Sequence, residues 1–398
     1  LLTSFSLFAQ TPHFKTYEIS KENRQLKPQL LFQDSKGFIW LGTSEGLYQY
    51  NGLQFKPFYL PDSLFSTNEQ SVSAIFEDHQ NKLWVGYQNG NIAYFQNLQL
   101  QFFEPEEGLP KVAITAIEQD KKGLMWFATY GEGLYYYLPQ DATKTTASPP
   151  IIPNRLYNFN QEEGLSSNDL YDIAVCQMGS VWAATDSGIN ICSIEGGKKK
   201  IVQKDMEDGL PDNLIQQIEA DAQGNLWIGT HDKGICRYVF EKEVFEIPPI
   251  MKNWRWGSVS SIEALQNELW IGTHQHGLIQ YVFHPNAYFR AYNQALNYDL
   301  TTCASILADK EGNIWFTGSA NSIHSTNRKF EFIDLHEGIS FTHIESILGD
   351  SQNNIWFSNK EGLFRHSIHF TGYNVLKKYM DSKDFPQLHI ISMYEDEQ

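Results

Sequence analysis

Asp221-Ala-Gln-Gly224-Asn-Leu-Trp227-Ile-Gly-Thr230 decides the fold, because the chain repeats it. Related phrases run from Asp34 through Trp40 to Thr43, from Asp120 to Trp126 and from Asp309 to Trp315. Tryptophan stands at 40, 84, 126, 182, 227, 270, 315 and 356, at intervals of 44, 42, 56, 45, 43, 45 and 41 residues. Fixed-period repetition of this length is the mark of a repeat architecture. The one long interval carries an insertion, Asp141 to Pro153, rich in Thr and Pro and read as a mobile loop.

The phrase has a mechanical meaning. Three residues before each Trp stands Gly37, Asn81, Gly123, Gly179, Gly224, Asn267, Gly312 or Asn353. Gly and Asn are the residues that tolerate a left-handed backbone. Six residues before Trp stands Asp34, Asp78, Asp120, Asp221, Asp309 or Asp350, with Cys176 and Ala264 in the other two repeats. An Asp there hydrogen-bonds the backbone of its own turn. Each phrase is therefore a hairpin: a short apolar strand, an Asp turn, and a strand beginning near Trp. After Trp come a Gly turn (Gly46, Gly133, Gly188, Gly234, Gly277, Gly362), an aromatic strand such as Leu134 to Tyr137, and a fourth strand such as Phe55 to Phe58. Four short antiparallel strands per repeat make a propeller blade. The repeat Trp residues are then packing between blades, and the aspartates are turn residues rather than catalytic acids.

The ring closes by strand phase. Phe14 to Tyr17 precedes the first hairpin and resembles an outermost strand, so it should complete the last blade and remove the open edge. The expected fold is all-β: a seven-bladed propeller of four-stranded antiparallel blades over 11–328, with Phe14 to Tyr17 in the sheet of Trp315. The first blade of a second, incomplete propeller follows over 329–398, with Phe330 to Ile333 repeating the closing device. A ninth repeat begins at His389 and reaches Asp396. A single eight-bladed ring, closed on the sheet of Trp356, is the alternative. Residues 1–10 read as the remnant of a secretory signal ending near Ala9.

Composition narrows the partners. Lys plus Arg number 30 against 47 Asp plus Glu, a formal net charge of −17. That disfavours nucleic acid and anionic membrane surfaces. The basic run Lys198-Lys199-Lys200 reads as a solvated turn after Gly196-Gly197. Cys176, Cys192, Cys236 and Cys303 show no ligand or disulfide spacing and read as free and mostly buried. No cofactor or metal is expected. There is no Ser/His/Asp order, nucleotide loop or kinase motif, and no paired acids are seen outside turns and linkers.

With Glu107-Gly-Leu-Pro110, Glu163-Gly-Leu165, Asp208-Gly-Leu-Pro211 and Glu337-Gly-Ile339 leading into the turns, the whole pattern resembles the two-component regulator propeller repeat. The resemblance runs from about residue 13 to the end, with local departures at Cys176, at Ala264, and in repeats seven and eight, which lack the Gly-Thr after Trp. It implies the periplasmic sensor region of a histidine kinase or hybrid two-component receptor, homodimeric when full length and anchored beyond residue 398. It also implies a polysaccharide fragment or other periplasmic ligand. The region itself would be non-catalytic. A propeller lyase or hydrolase acting on polysaccharide and a protein-binding scaffold are the alternatives.

The ligand face is expected where the loops before the first strand meet those between the second and third. Trp254 and Trp256 are the two Trp residues outside the repeat positions, and they flank Arg255 in the loop leading into blade six. The other loop of that blade carries His274-Gln275-His276. Two indoles, a guanidinium and two imidazoles suit a sugar, by stacking and by hydrogen bonds to hydroxyls. Tyr130 and Glu132 of blade three, and His231 and Asp232 of blade five, are secondary contributors. The bland alternative is that Trp254 and Trp256 seal the blade junction or meet a second propeller.

Overall fold

The Asp turn organises the molecule, and it does more than the repeat alone suggests. The computed structural model describes residues 14–19, 26–58, 70–96, 99–139, 154–176, 179–283, 287–292, 300–318, 322–327, 344–352, 354–360, 362–368, 374–381 and 390–396. In the first repeat Asp34 Oδ1 accepts from the backbone N–H of Lys36 and Phe38 (3.0 and 2.9 Å), while Oδ2 accepts from Trp40 Nε1 at 2.9 Å. One carboxylate thus shapes the hairpin and receives the buried indole N–H. The indole bond recurs from Trp84 to Asp78, Trp126 to Asp120, Trp315 to Asp309 and Trp356 to Asp350. The residue three before Trp is left-handed at Gly37, Asn81, Gly123, Gly179, Gly224 and Gly312.

Repeat six differs from the expected pattern. Its turn is one residue shorter, closed by Leu265 N–H to Glu268 O at 2.9 Å, so Leu265 rather than Ala264 holds the Asp place. Asn267 consequently needs no left-handed backbone, and Glu268 Oε1 accepts from Trp270 Nε1 at 3.1 Å instead. Repeat four has no such substitute. Cys176 bonds Ser180 Oγ, and Trp182 Nε1 is buried with no partner among the described residues. An unmet buried donor costs roughly 1–3 kcal/mol. Cys176→Asp is therefore expected to stabilise the protein by about 1 kcal/mol after loss of the thiol contact, read as a higher denaturant midpoint. An unchanged or lowered midpoint would show that the indole is not the unmet group.

Among the described residues eight four-stranded antiparallel sheets result, each built of consecutive strands except one. That exception joins Lys15–Glu18 to Ile306–Ala308, Asn313–Thr317 and Ser322–Asn327, the sheet of Trp315. The register runs from Lys15 opposite Ser325 to Glu18 opposite Ser322. Tyr17 stacks on Trp315 at 4.8 Å, and Phe14 is buried edge-on against Tyr292 and Phe316.

The inner strands Pro28–Gln33, Val72–Glu77, Ile114–Gln119, Leu170–Val175, Ile215–Ala220, Val259–Ala264 and Ile306–Ala308 each lie against the next, and the last lies against the first. Seven blades therefore close the ring. Apolar clusters fill the junctions between blades, and Trp40, Trp84, Trp126, Trp182, Trp227, Trp270 and Trp315 are 1–5 % exposed. Across the turns, the residue before one Asp holds the backbone N–H of a neighbouring turn: Ser35 to Glu77, His79 to Gln119, Lys310 to Gln33.

By its contacts the chain divides into two compact units. One holds Phe14–Phe283 and Ala287–Thr326; the other holds Asn327–Gln398 with Leu1–His13 and His284–Asn286. The second contains the eighth sheet, Ser346–Gly349, Asn354–Asn359, Gly362–Ile368 and Asn374–Asp381. Within it Ser351 bonds Glu395 through both its N–H and its hydroxyl at 2.7 Å, the same turn latch, one residue before Asp396. Ile347 occupies the register place of Ile117 and Ile218 yet is 66 % exposed.

The expected signal remnant at 1–10, the insertion 141–153, Glu337 to Ile339, the strand Phe330 to Ile333 and His389 lie outside the described residues. The basic run is corrected. Lys198–Lys204 is a strand, the turn being Gly196-Gly197 alone, and Lys199 and Lys200 pair with Glu163 and Glu195. All four cysteines are buried and free. No helix among the described residues is long and apolar enough to cross a membrane.

Candidate functional site

Two places on the ring concentrate chemistry. The first is the rim of blades five and six. The segment before blade six forms a short 3-10 turn, Pro249–Asn253, and then runs back over its own blade. His274 N–H donates to Ser258 O (3.1 Å), and His276 Nδ1 lies 3.0 Å from Trp256 O. Gln275 reaches to within about 3 Å of the space beside Gly257. These contacts bring the two loops of blade six together, as the sequence suggests. Blade five joins them from its own turn. The ring of Trp254 lies directly over Gly234, where any β-carbon would meet its ring atoms at 2.6 Å.

The two indoles meet at 5.0 Å and 76°, and both pack on Phe289. They are half-buried against the core of blades five and six, and Trp254 Nε1 is committed to Gly257 O at 2.8 Å. Trp254 is thus largely a wall of the junction. Trp256 carries the exposed Arg255 guanidinium over its ring at 5.6 Å. His231 and Asp232 pair at 3.0 Å. His274 is held below the usual imidazole range, first by burial and then by His231. Tyr130 and Glu132 are not joined to this group. Tyr130 packs on Tyr171 of blade four, and Glu132 accepts from Tyr135 Oη at 2.9 Å.

The second place was missed by the sequence reading, which saw no paired acids outside turns and linkers. A cavity of about 840 Å³ runs inside the ring, lined by all seven inner strands. One layer of its wall is set by the residue opposite the repeat Trp in six blades: Phe32, Phe76, Glu118, Glu219, Glu263 and Leu307. In blade four that place is Ala174, in the blade junction, and Asp172, two residues earlier, lines the cavity instead. With Asp172, these positions are apolar on blades seven, one and two and acidic on blades three to six. Burial, then Asp172, push Glu118 up to about 8. Burial pushes Asp172 up to about 6, against hydrogen bonds from Ile218 N–H (2.8 Å) and Gln217. Glu219 is raised well above the usual carboxylate range by burial, then by Glu263, Asp172 and Glu118. At about 8, Glu118 keeps its proton at neutral pH.

Comparisons with known proteins agree with the repeat. The two-component regulator propeller model matches residues 66–89, 108–131 and 209–232. Histidine kinase P4 of Formosa agariphila is 23 % identical over 192 residues, 46 % of this chain and 13 % of that protein. The extracellular domain of a hybrid two-component system from B. thetaiotaomicron superposes with a TM-score of 0.63 at 20 % identity, over 91 % of this chain and 49 % of that one. Virginiamycin B lyase from Staphylococcus aureus superposes with a TM-score of 0.59 at 16 % identity, over 79 % of this chain and 99 % of that one. At these identities the two structures share the fold. The chain spans about half the length of the extracellular domain and a smaller part of the kinase. The chain carries the two-component regulator propeller repeat.

Proposed function

We propose that this propeller is the extracytoplasmic ligand-sensing part of a two-component signalling receptor, and that it binds a carbohydrate fragment at the rim of blades five and six. The reading rests on the repeat itself, together with the histidine kinase and hybrid two-component system among the similar proteins. The eighth sheet is then the first blade of a second propeller, which explains why Ile347 presents an apolar side chain to solvent. The receptor would act from the periplasm as a homodimer, with its kinase supplied elsewhere in a longer protein.

Binding is tested by calorimetry against a panel of oligosaccharides, followed by Trp256→Ala and Trp254→Ala on any hit. Loss of a stacking indole should weaken binding by roughly 1–3 kcal/mol. Thermal melts keep folding separate from affinity, which matters for Trp254 because it also seals a blade junction. Full affinity with both indoles removed would rule out the rim.

A propeller enzyme acting on polysaccharide has one observation behind it: Glu118 and Asp172 share the channel with different raised pKa values, the pattern of an acid and base pair. Polysaccharide turnover abolished by Glu118→Gln would establish that reading in place of the sensor.

A further inference from the structure

We infer that the rim of blades five and six selects an anionic oligosaccharide, one carrying carboxylate or sulfate groups. This inference rests on the sugar-binding reading above and adds the ligand's charge.

The protein as a whole repels anions, with its net charge of −17. Against that background three neighbouring loops expose Lys233, Lys252 and Arg255, together with His231 and His274. Lys233 precedes Gly234, on which Trp254 rests, and Lys252 and Arg255 flank the same indole in sequence.

Three other cations of the ring are held in ion pairs. Arg155 meets Glu107, Lys204 meets Asp208, and Lys242 meets Glu246. Lys233, Lys252 and Arg255 make no ion pair among the described residues, and the Arg255 guanidinium lies over the face of Trp256. Nearby carboxylates are committed to the loops. Asp232 pairs with His231, and Asp212 accepts from the backbone N–H of Asp232 and Leu214 (3.2 and 3.3 Å).

A guanidinium laid on an indole presents its donor edge outward. A planar or tetrahedral anion can then take two hydrogen bonds at once. Unpaired lysines around it raise the local potential at a site where one loop surface is already aromatic. A neutral sugar would use the aromatic surface and leave the charge unused.

The test is binding of trigalacturonate, its methyl ester and a sulfated disaccharide to the protein, to Arg255→Gln/Lys233→Gln, and to Trp256→Ala. All three substituted side chains lie at the surface or half-buried, and melts verify folding. The expected result is binding of at least one anionic sugar, tenfold or more weaker binding of the methyl ester, and a tenfold or greater loss in the Arg255/Lys233 variant. That affinity should also fall as salt rises. Preference between trigalacturonate and the sulfated disaccharide identifies the anionic group. Equal binding of the ester, lost in Trp256→Ala, overturns the charge inference and leaves the sugar site standing. Anion binding untouched by any of the three substitutions overturns both, as does absence of binding by all three sugars at millimolar concentration.

Discussion

Replacing Glu118 and Glu219 together by glutamine is expected to stabilise the protein at pH 8 and to change little at pH 4. Both carboxyls take up protons more strongly in the folded ring than in the unfolded chain, Glu118 to about 8 and Glu219 in the same direction. A group whose folded pKa is raised stabilises fully below its unfolded value, near 4.5. That contribution disappears as pH rises through the folded value. The loss window is therefore pH 4.5 to about 8, and Asp172 adds to it up to about 6. One pKa unit corresponds to about 1.4 kcal/mol, but the groups share their repulsion and the cavity admits water. A total of roughly 2–4 kcal/mol is therefore expected rather than the sum of separate shifts. The wild-type melting temperature should fall by several degrees between pH 5 and pH 8, and the double variant should fall less. General repulsion in a chain of net charge −17 acts on both proteins alike, so the difference between the two profiles isolates the channel. Parallel profiles would mean that the carboxyls are solvated and titrate normally.

The channel also marks where the sequence is hard to read. The Asp turns, blade boundaries and ring closure could be anticipated because each depends on residues within one repeat, or on the phase of Phe14 to Tyr17. Glu118 and Glu219 are far apart in sequence and meet only because their inner strands contribute the same register place to one wall. That place lies eight residues before Trp in repeats one to five and seven, as with Phe32, Phe76, Ala174 and Leu307. It lies seven residues before Trp in repeat six, whose turn is one residue shorter. Reading the repeats as a stacked register rather than as separate hairpins is the signal that would have found it. The rim shows the opposite case. The grouping of Trp254 to Trp256 with His274 to His276 follows from loop order, since both loops belong to one blade. That Trp254 rests on Gly234 of blade five, and spends its N–H on Gly257, depends on how two blades splay. Local sequence does not encode this. Likewise, a basic run after two glycines looks like a turn until its partners, Glu163 and Glu195, are placed beside it.

Asp309→Ala should be among the most damaging single changes in the ring. Asp309 is buried and accepts three hydrogen bonds: Asn313 N–H at 2.7 Å, Asn313 Nδ2 at 2.7 Å and Trp315 Nε1 at 2.6 Å. Its removal leaves the N–H of a 4 % exposed indole without an acceptor and releases the hairpin that Gly312 turns. Each unmet buried donor costs roughly 1–3 kcal/mol, so a loss of about 3–5 kcal/mol is expected. Position adds to the effect. Blade seven is assembled from both ends of the ring, Lys15–Glu18 on one side and Ile306–Ala308, Asn313–Thr317 and Ser322–Asn327 on the other, and Trp315 is the surface on which Tyr17 stacks. A loosened Trp315 therefore weakens the one sheet whose pairing closes the circle. Asp309→Asn retains an oxygen acceptor and should cost less than half as much. Blade four sets the lower bound, since Cys176 already leaves Trp182 Nε1 unmet without preventing that sheet from forming. Denaturant titrations of the two variants against wild type decide the matter. If Asp309→Ala shifts the midpoint by an amount worth less than about 1 kcal/mol, the Asp-to-indole bond is incidental and the hairpin is held by the backbone alone.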